Sequence, residues 1–174
     1  MGRRQRFEVP EGWVGRGFRF EVEPITGAQQ ELIGRHFGAR RFAHNWALAQ
    51  VKANLDARAA DSTVPALAWN LPALRRAWNQ AKHEVAPWWR ECSKEAYASG
   101  IADLVAALHN WSDSMRGNRK GERVGFPRFR ARHHDHGRVR FTTGAMRLEP
   151  DRRHITLPVV GRVRSKENTR RLER

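Results

Sequence analysis

Cysteine is almost absent from the 174 residues: Cys92 stands alone. One thiol excludes a disulfide framework and a cysteine zinc site, and it fits a reducing cytoplasm. Long apolar runs are missing too. No stretch of about 18 apolar residues occurs, so no segment is expected to span a membrane. The opening "MGRRQRFEVPEGW" is basic but has no apolar core, which argues against a secretory signal. Acidic residues are scarce, 18 against 33 Lys+Arg. Asp56 and Asp61 fall on a helix end and a loop, and Asp103 and Asp113 on the expected outer side of a long helix. A two-metal nuclease needs carboxylates that converge, and these do not. Glycine-rich phosphate loops of the Walker or Rossmann kind are also lacking. Cys92 has His83 and Glu84 nearby in sequence but no strand–nucleophile–helix turn, and packing beside Trp88 and Trp89 is the simpler expectation. On its own residues the chain looks non-catalytic.

What the chain does have is positive charge. Its net charge is +15, and arginine greatly outnumbers lysine. Such an excess costs self-repulsion in the compact state, which an anionic partner offsets. Nucleic acid is the leading partner and an anionic membrane surface the runner-up. Arginine favours bidentate phosphate contacts, although GC-rich coding produces the same bias. The charge is unevenly placed. Residues 115–174 hold 18 basic and 6 acidic residues, whereas residues 26–114 hold 10 and 8. Within the basic third, "GFPRFRARHHDHGRVRF" (125–141) interleaves Phe126, Phe129 and Phe141 with Arg128, Arg130, Arg132, Arg138 and Arg140. Cations on a rigid surface suit phosphate contacts. His133, His134, Asp135 and His136 raise the alternative of a metal site. Neighbouring residues in extended chain point to opposite faces, so a polar loop or phosphate contact is favoured there.

Periodicity gives the order of elements. "GFRFEVEP" (17–24) alternates as a half-buried strand ending at Pro24. Thr26 and Gln29 have capping-box spacing for a short helix, with a break expected at Gly34–Gly38. A second helix over 38–58 would place Phe42, Trp46, Ala49 and Ala53 on one face, with Arg40, Arg41, Asn45 and Lys52 off it. Asn70 can cap a third helix with Pro72 in its first turn. Ser93 can cap a fourth over about 94–115, whose seam is Tyr97, Ile101, Leu104, Leu108, Trp111 and Met115. Of seven tryptophans, Trp46, Trp78 and Trp111 fall on core faces, while Trp69 and Trp89 are less constrained. After a glycine-rich linker at 116–123, short strands are expected at 138–141, 145–150, 154–160 and 161–165. A lone first strand is marginal, so it should pair with these late strands. The class is then α+β, with a helical block inserted into a small β domain.

Three ordered stretches resemble the TnpB (OrfB) family of insertion-sequence proteins. "FRFEVEPITGAQQELIGRHFGARRFAHNWALAQ" is similar to the family's start, a strand ending in Pro, a helix, then G-x-x-R-F-x-x-N-W-x-L, here Gly38, Arg41, Phe42, Asn45, Trp46 and Leu48. "APWWRECSKEAYASGIADLVAALHNW" resembles the next segment. "VGFPRFRARHHDHGRVRFTTGAMRLEPDRRHITLPVVGRVR" resembles the third, with G-[FY]-P-R-[FY], R-F-T and L-P-x-x-G. The resemblance implies an RNA-guided DNA endonuclease of bacterial insertion sequences. Its N-terminal half would be a β-barrel wedge domain interrupted by a four-helix recognition insertion. The expected division is a basic extension (1–15), a first wedge strand (16–25), the recognition domain (26–115, with a helix-turn-helix-like part at 26–58), and a linker with an incomplete set of wedge strands (116–174). The wedge would hold guide RNA, and the recognition helices would face target-flanking duplex DNA. Lys94, Thr142, Thr143 and, more weakly, Asn70 match positions facing that duplex. Arg128, Arg130, Arg132, Arg138 and Arg140 would meet phosphates, and Arg41 and Asn45 match the family motif. The family's RuvC-like triad and four-cysteine zinc ribbon have no counterpart in these residues, so Mg and Zn are expected only for those parts and no cofactor here. The expectation is a bacterial, nucleoid-associated fragment or split-gene partner of a nuclease portion that binds without cutting. A stand-alone helix-turn-helix regulator and a non-functional remnant are the alternatives.

Overall fold

The computed structural model describes residues 11–12, 20–142 and 146–170. Three helices form a bundle: α1 (Gly27–Ala60), α2 (Leu71–Val85) and α3 (Lys94–Met115). The capping box at the start of α1 is complete. Thr26 Oγ1 accepts from the Gln29 N–H at 3.2 Å, and Gln29 Oε1 accepts from the Thr26 N–H at 3.3 Å and the Ile25 N–H at 2.8 Å. Asn70 caps α2 by accepting from the Ala73 N–H, with Pro72 in the first turn, and Ser93 caps α3 by accepting from the Glu95 N–H. All three caps satisfy donors that a helix start otherwise leaves open.

The expected break at Gly34–Gly38 does not exist. Helix α1 is continuous for 34 residues, about 51 Å at 1.5 Å per residue. Each interior glycine costs a helix only about 1 kcal/mol, which packing overrides. Two expected helices therefore merge, and the four-helix insertion becomes three helices. Residues 27–58 thus all belong to this one helix.

A small antiparallel sheet follows the order β1 (Val22–Glu23), β4 (Gly161–Ser165), β3 (His154–Leu157), β2 (Arg147–Leu148). The first strand does pair with the last, Val22 opposite Ser165 and Glu23 opposite Arg164. The sheet is nevertheless open, with β1 and β2 at its two edges. The expected barrel is thus corrected to a four-stranded open sheet among the described residues: strands of two to five residues are too short and too few to curl and close. Residues 138–141, expected as a strand, have no ladder partners, and the first residues of the 17–24 stretch lie outside those described.

The core lies between the helices. Ala39, Ala43, Ala47, Leu48 and Val51 of α1 pack with Leu74 and Trp78 of α2 and with Tyr97, Ile101, Leu104 and Leu108 of α3. Rings pack through this layer: Trp78 stacks on Tyr97 at 5.0 Å and meets Trp46 edge to face at 5.4 Å. Helices α1 and α3 touch backbone to backbone at Gly100, where a Cβ would sit 3.0 Å from the His44 nitrogen and closer still to the Arg40 carbonyl oxygen. Helix α1 is tied to the sheet by Gln29, whose Nε2 donates to the Arg162 carbonyl at 2.7 Å and the Val160 carbonyl at 3.3 Å.

Candidate nucleic-acid interface

After the linker the chain crosses back over the bundle as a strap. It starts near the end of α3, where the Val124 N–H donates to Ser114 Oγ and Phe126 meets Trp111 edge to face at 4.9 Å. It then runs against the direction of α1 and α3 while touching both. Asn45 of α1 holds Arg130 by the backbone: Nδ2 donates to its carbonyl at 3.0 Å, and Oδ1 accepts its N–H at 2.8 Å. This imitates the exchange of two hydrogen bonds between strands and lets an extended segment lie on a helix. Further on, Gly137 passes so close to Phe37 that a Cβ would clash with the ring. Ser99 Oγ of α3 accepts the Arg140 N–H and donates to its carbonyl, both at 3.2 Å.

Under the strap lies an ion network. Arg40 is 1% exposed and bridges Asp103 of α3 to Asp135 of the strap, with Nε 2.8 Å from Asp103 Oδ2 and Nη1 3.2 Å from Asp135 Oδ1. Arg130 Nη1 also reaches Asp103 Oδ2 at 3.1 Å, and Arg41 approaches Asp135 at 3.8 Å. Burial alone would push the Asp103 carboxyl up. Hydrogen bonds from Arg40 and Arg130, and their charges, more than offset this, and it sits below the usual carboxylate range. Asp103 is therefore an anchor and not the outward residue expected from the apolar seam of α3. Asp135 likewise turns to Arg40, away from the exposed rings of His133 and His134. Among the described residues, no three or more His, Cys, Asp or Glu side chains gather as metal ligands.

Two buried histidines face this junction from α1. His36 Nε2 accepts the Ser93 N–H at 2.9 Å and Nδ1 lies 2.7 Å from the Leu32 carbonyl, so the neutral ring ties α1 to the cap of α3. Burial lowers its pKa. His44 is lowered to about 4 by burial and then by the charge of Arg130. Cys92 is buried, and burial pushes its thiol up, followed by the charge of Glu91. This is a packing environment and not that of an activated nucleophile.

The strap and the helices enclose a cleft of about 610 Å³. Lys94 and Ser99 of α3, Arg75 of α2, and Arg138, Arg140 and Thr142 of the strap line it, with Glu95 and Asp103 as its carboxylates. Arg75, Lys94 and Arg140 make no ion pair among the described residues, and Arg138 reaches only Asp103, at 3.9 Å. Four of the residues expected from sequence to bind nucleic acid, Lys94, Arg138, Arg140 and Thr142, thus share one cleft. Asn70 sits at its edge, capping the helix that presents Leu71 and Arg75 to it. Arg41 and Arg132 line a separate cleft on the other side of the strap, with Asp135 and Phe37. Arg128 is exposed, whereas the Arg130 side chain is directed to Asp103. Thr143 lies outside the described residues. Arg75 was missed from sequence; its signal was the Arg75–Arg76 pair on the polar face of α2. Arg40, Ser99, Asp103 and Asp135 carried no signal, because only their distant partners make them anchors.

The helical bundle thus carries a cationic cleft and a cationic strap. A family described as "Helix-turn-helix domain", of the OrfB insertion-sequence type, matches residues 14–59. The described part of that span holds β1 and the single helix α1. Two curated relatives, from two strains of Mycobacterium tuberculosis, are each 51% identical over 97% of this chain, and both are provisionally named RNA-guided DNA endonucleases. The chain spans 38% of the length of each. Over this region it resembles the TnpB (OrfB) family. Among the described residues, no helix is long and apolar enough to cross a membrane.

Proposed function

We propose that this chain grips nucleic acid for an RNA-guided, TnpB-like system and does not itself cut DNA. The cleft between α2, α3 and the strap takes the backbone of target-flanking duplex DNA, and the outer strap takes guide RNA. The observation that carries this reading is the convergence of Arg75, Lys94, Arg138 and Arg140 on one cleft with only two carboxylates, Glu95 and Asp103, the second already held by Arg40 and Arg130. Cations in excess of carboxylates on a rigid wall suit phosphates, and the helix dipole at Lys94, the first residue of α3, adds to them. Thr142 extends the same wall. Arg41, Arg132 and Asn45 support the strap and its far side. Binding without cutting rests on where the acids are: Asp103 is bound to Arg40 and Arg130, and Asp61 accepts from the Thr63 N–H and hydroxyl.

The test is fluorescence anisotropy of labelled duplex DNA and RNA over a salt series. Each phosphate contact contributes about 0.9 to the log–log salt slope on duplex DNA. Replacing Arg75 and Arg140 by Gln should lower that slope by about 2 and weaken binding on the order of tenfold or more. Tight binding that ignores salt, or a double variant that binds like its parent, refutes the reading. Guide-dependent cleavage by the pure chain with Mg²⁺ refutes its non-cutting half.

A further inference from the structure

The cleft does not account for the most unusual residue of the strap. Phe129 is 55% exposed, although Phe126 and Phe141 on the same segment pack against Trp111 and His36. Its backbone is not loose. Pro127 restricts the chain just before it, and Asn45 clamps both polar groups of Arg130 just after it. Lys52 of α1 places its ammonium 5.5 Å from the ring centroid. Lys52 and the adjacent Arg128 are exposed and make no ion pair among the described residues.

A rigidly mounted, solvent-exposed aromatic ring with the Lys52 ammonium at one face and a second exposed cation, Arg128, next to it in sequence matches the chemistry of one ligand class. A nucleobase offers a flat face for the ring, and its flanking phosphates offer charge for the cations. An apolar protein partner would have to leave Lys52 and Arg128 without compensation beside it. A base inside a duplex hides its faces in the stack, so the ring can engage only an unpaired one. We propose that Phe129 is a stacking platform for an unpaired base, with Lys52 and Arg128 taking the neighbouring phosphates. The platform lies on the α1 side of the strap, apart from the residues that line the cleft. The inference rests on the proposed nucleic-acid binding and adds to it a strand-state preference at a named residue.

The experiment compares the full chain with Phe129→Ala, Phe129→Leu and Phe129→Trp for binding to a dT 12-mer, an rU 12-mer and a 12-base-pair duplex. Loss of one stacked base weakens binding by about tenfold. The Ala and Leu variants should show that loss on single strands and bind duplex unchanged, while Trp retains affinity. Loss on both 12-mers assigns the platform to unpaired bases of either sugar, and loss on one alone assigns it to that strand. On the parent chain, an oligonucleotide carrying 5-iodouracil should photo-crosslink at Phe129. Full affinity with Leu overturns stacking in favour of plain apolar contact. Equal single-strand binding by all four proteins, or no crosslink at Phe129, overturns the platform and leaves the cleft reading intact. A parent chain that binds no nucleic acid overturns both.

Discussion

Replacing Asn45 by Ala removes both hydrogen bonds that seat the strap at Arg130, while sparing the helix that carries them. Each such bond contributes about 1 kcal/mol net, and each buried group left unpaired costs about 1–3 kcal/mol. The Arg130 backbone is partly buried, so water meets its freed N–H and C=O only if the strap lifts. The loss should therefore appear as a local opening and not as global unfolding, at about 2–3 kcal/mol, or on the order of 30- to 150-fold in the opening equilibrium. Hydrogen exchange at residues 126–132 should accelerate by that factor while the interior of α3 keeps its protection. Trypsin should cut after Arg128 and Arg130 correspondingly faster. Nucleic-acid binding should weaken too, because cations on a lifted strap lose their preorganised positions. Unchanged exchange and unchanged cleavage in a folded Asn45→Ala protein would show that Asn45 does not hold the strap.

Acid should destabilise the fold. His44 titrates at about 4 against an ordinary 6.5, and His36 is shifted the same way. The unfolded chain therefore binds more protons, so stability is full above about pH 6.5 and falls as the pH drops towards 4. The His44 share is at most about 3 kcal/mol, and equal denaturation midpoints at pH 7.5 and 4.5 would contradict it. Gly100→Ala should push α1 from α3, because the new methyl meets backbone and not a movable side chain. Overpacking of about 1–3 kcal/mol at about 2–4 °C per kcal/mol lowers Tm by roughly 2–12 °C, and a Tm within about 1 °C of the parent would refute the close contact.

Local chemistry was legible in the sequence, and distant pairing was not. The caps at Thr26, Asn70 and Ser93 are short-range patterns, and all three form. The seam of α3 holds from Tyr97 to Leu108, while Met115 at its end is 53% exposed. Helix α1 was harder. Its apolar spacing pointed to Phe42, Trp46, Ala49 and Ala53, yet Ala53 is exposed and the most deeply buried positions include His36, Arg40 and His44. An apolarity pattern cannot register a buried arginine whose carboxylate partners lie 63 and 95 residues away. The same blindness left Asp103 on the wrong side of α3. The closure of the sheet was overread because alternating runs signal strands, not how far they pair. For the candidate cleft, the charge excess pointed to the strap and the resemblance to Lys94 and Thr142, all of which line it. Only the packing of α2 showed that Arg75 joins them.

The unbroken α1 is also a ruler. Gln29 fastens the sheet near one end and Asn45 fastens the strap sixteen residues further on, a separation of about 24 Å. That equals roughly seven base-pair steps at about 3.4 Å each. A rod with no hinge between these points gives sheet and strap one shared gauge. A polyanion lying along both meets them at a fixed distance and a fixed angular phase. Inserting one residue between Gly34 and Gly38 would lengthen the gauge by only about 1.5 Å but turn the sheet about 100° around the helix axis. Phase, more than length, is what the continuity of this helix protects.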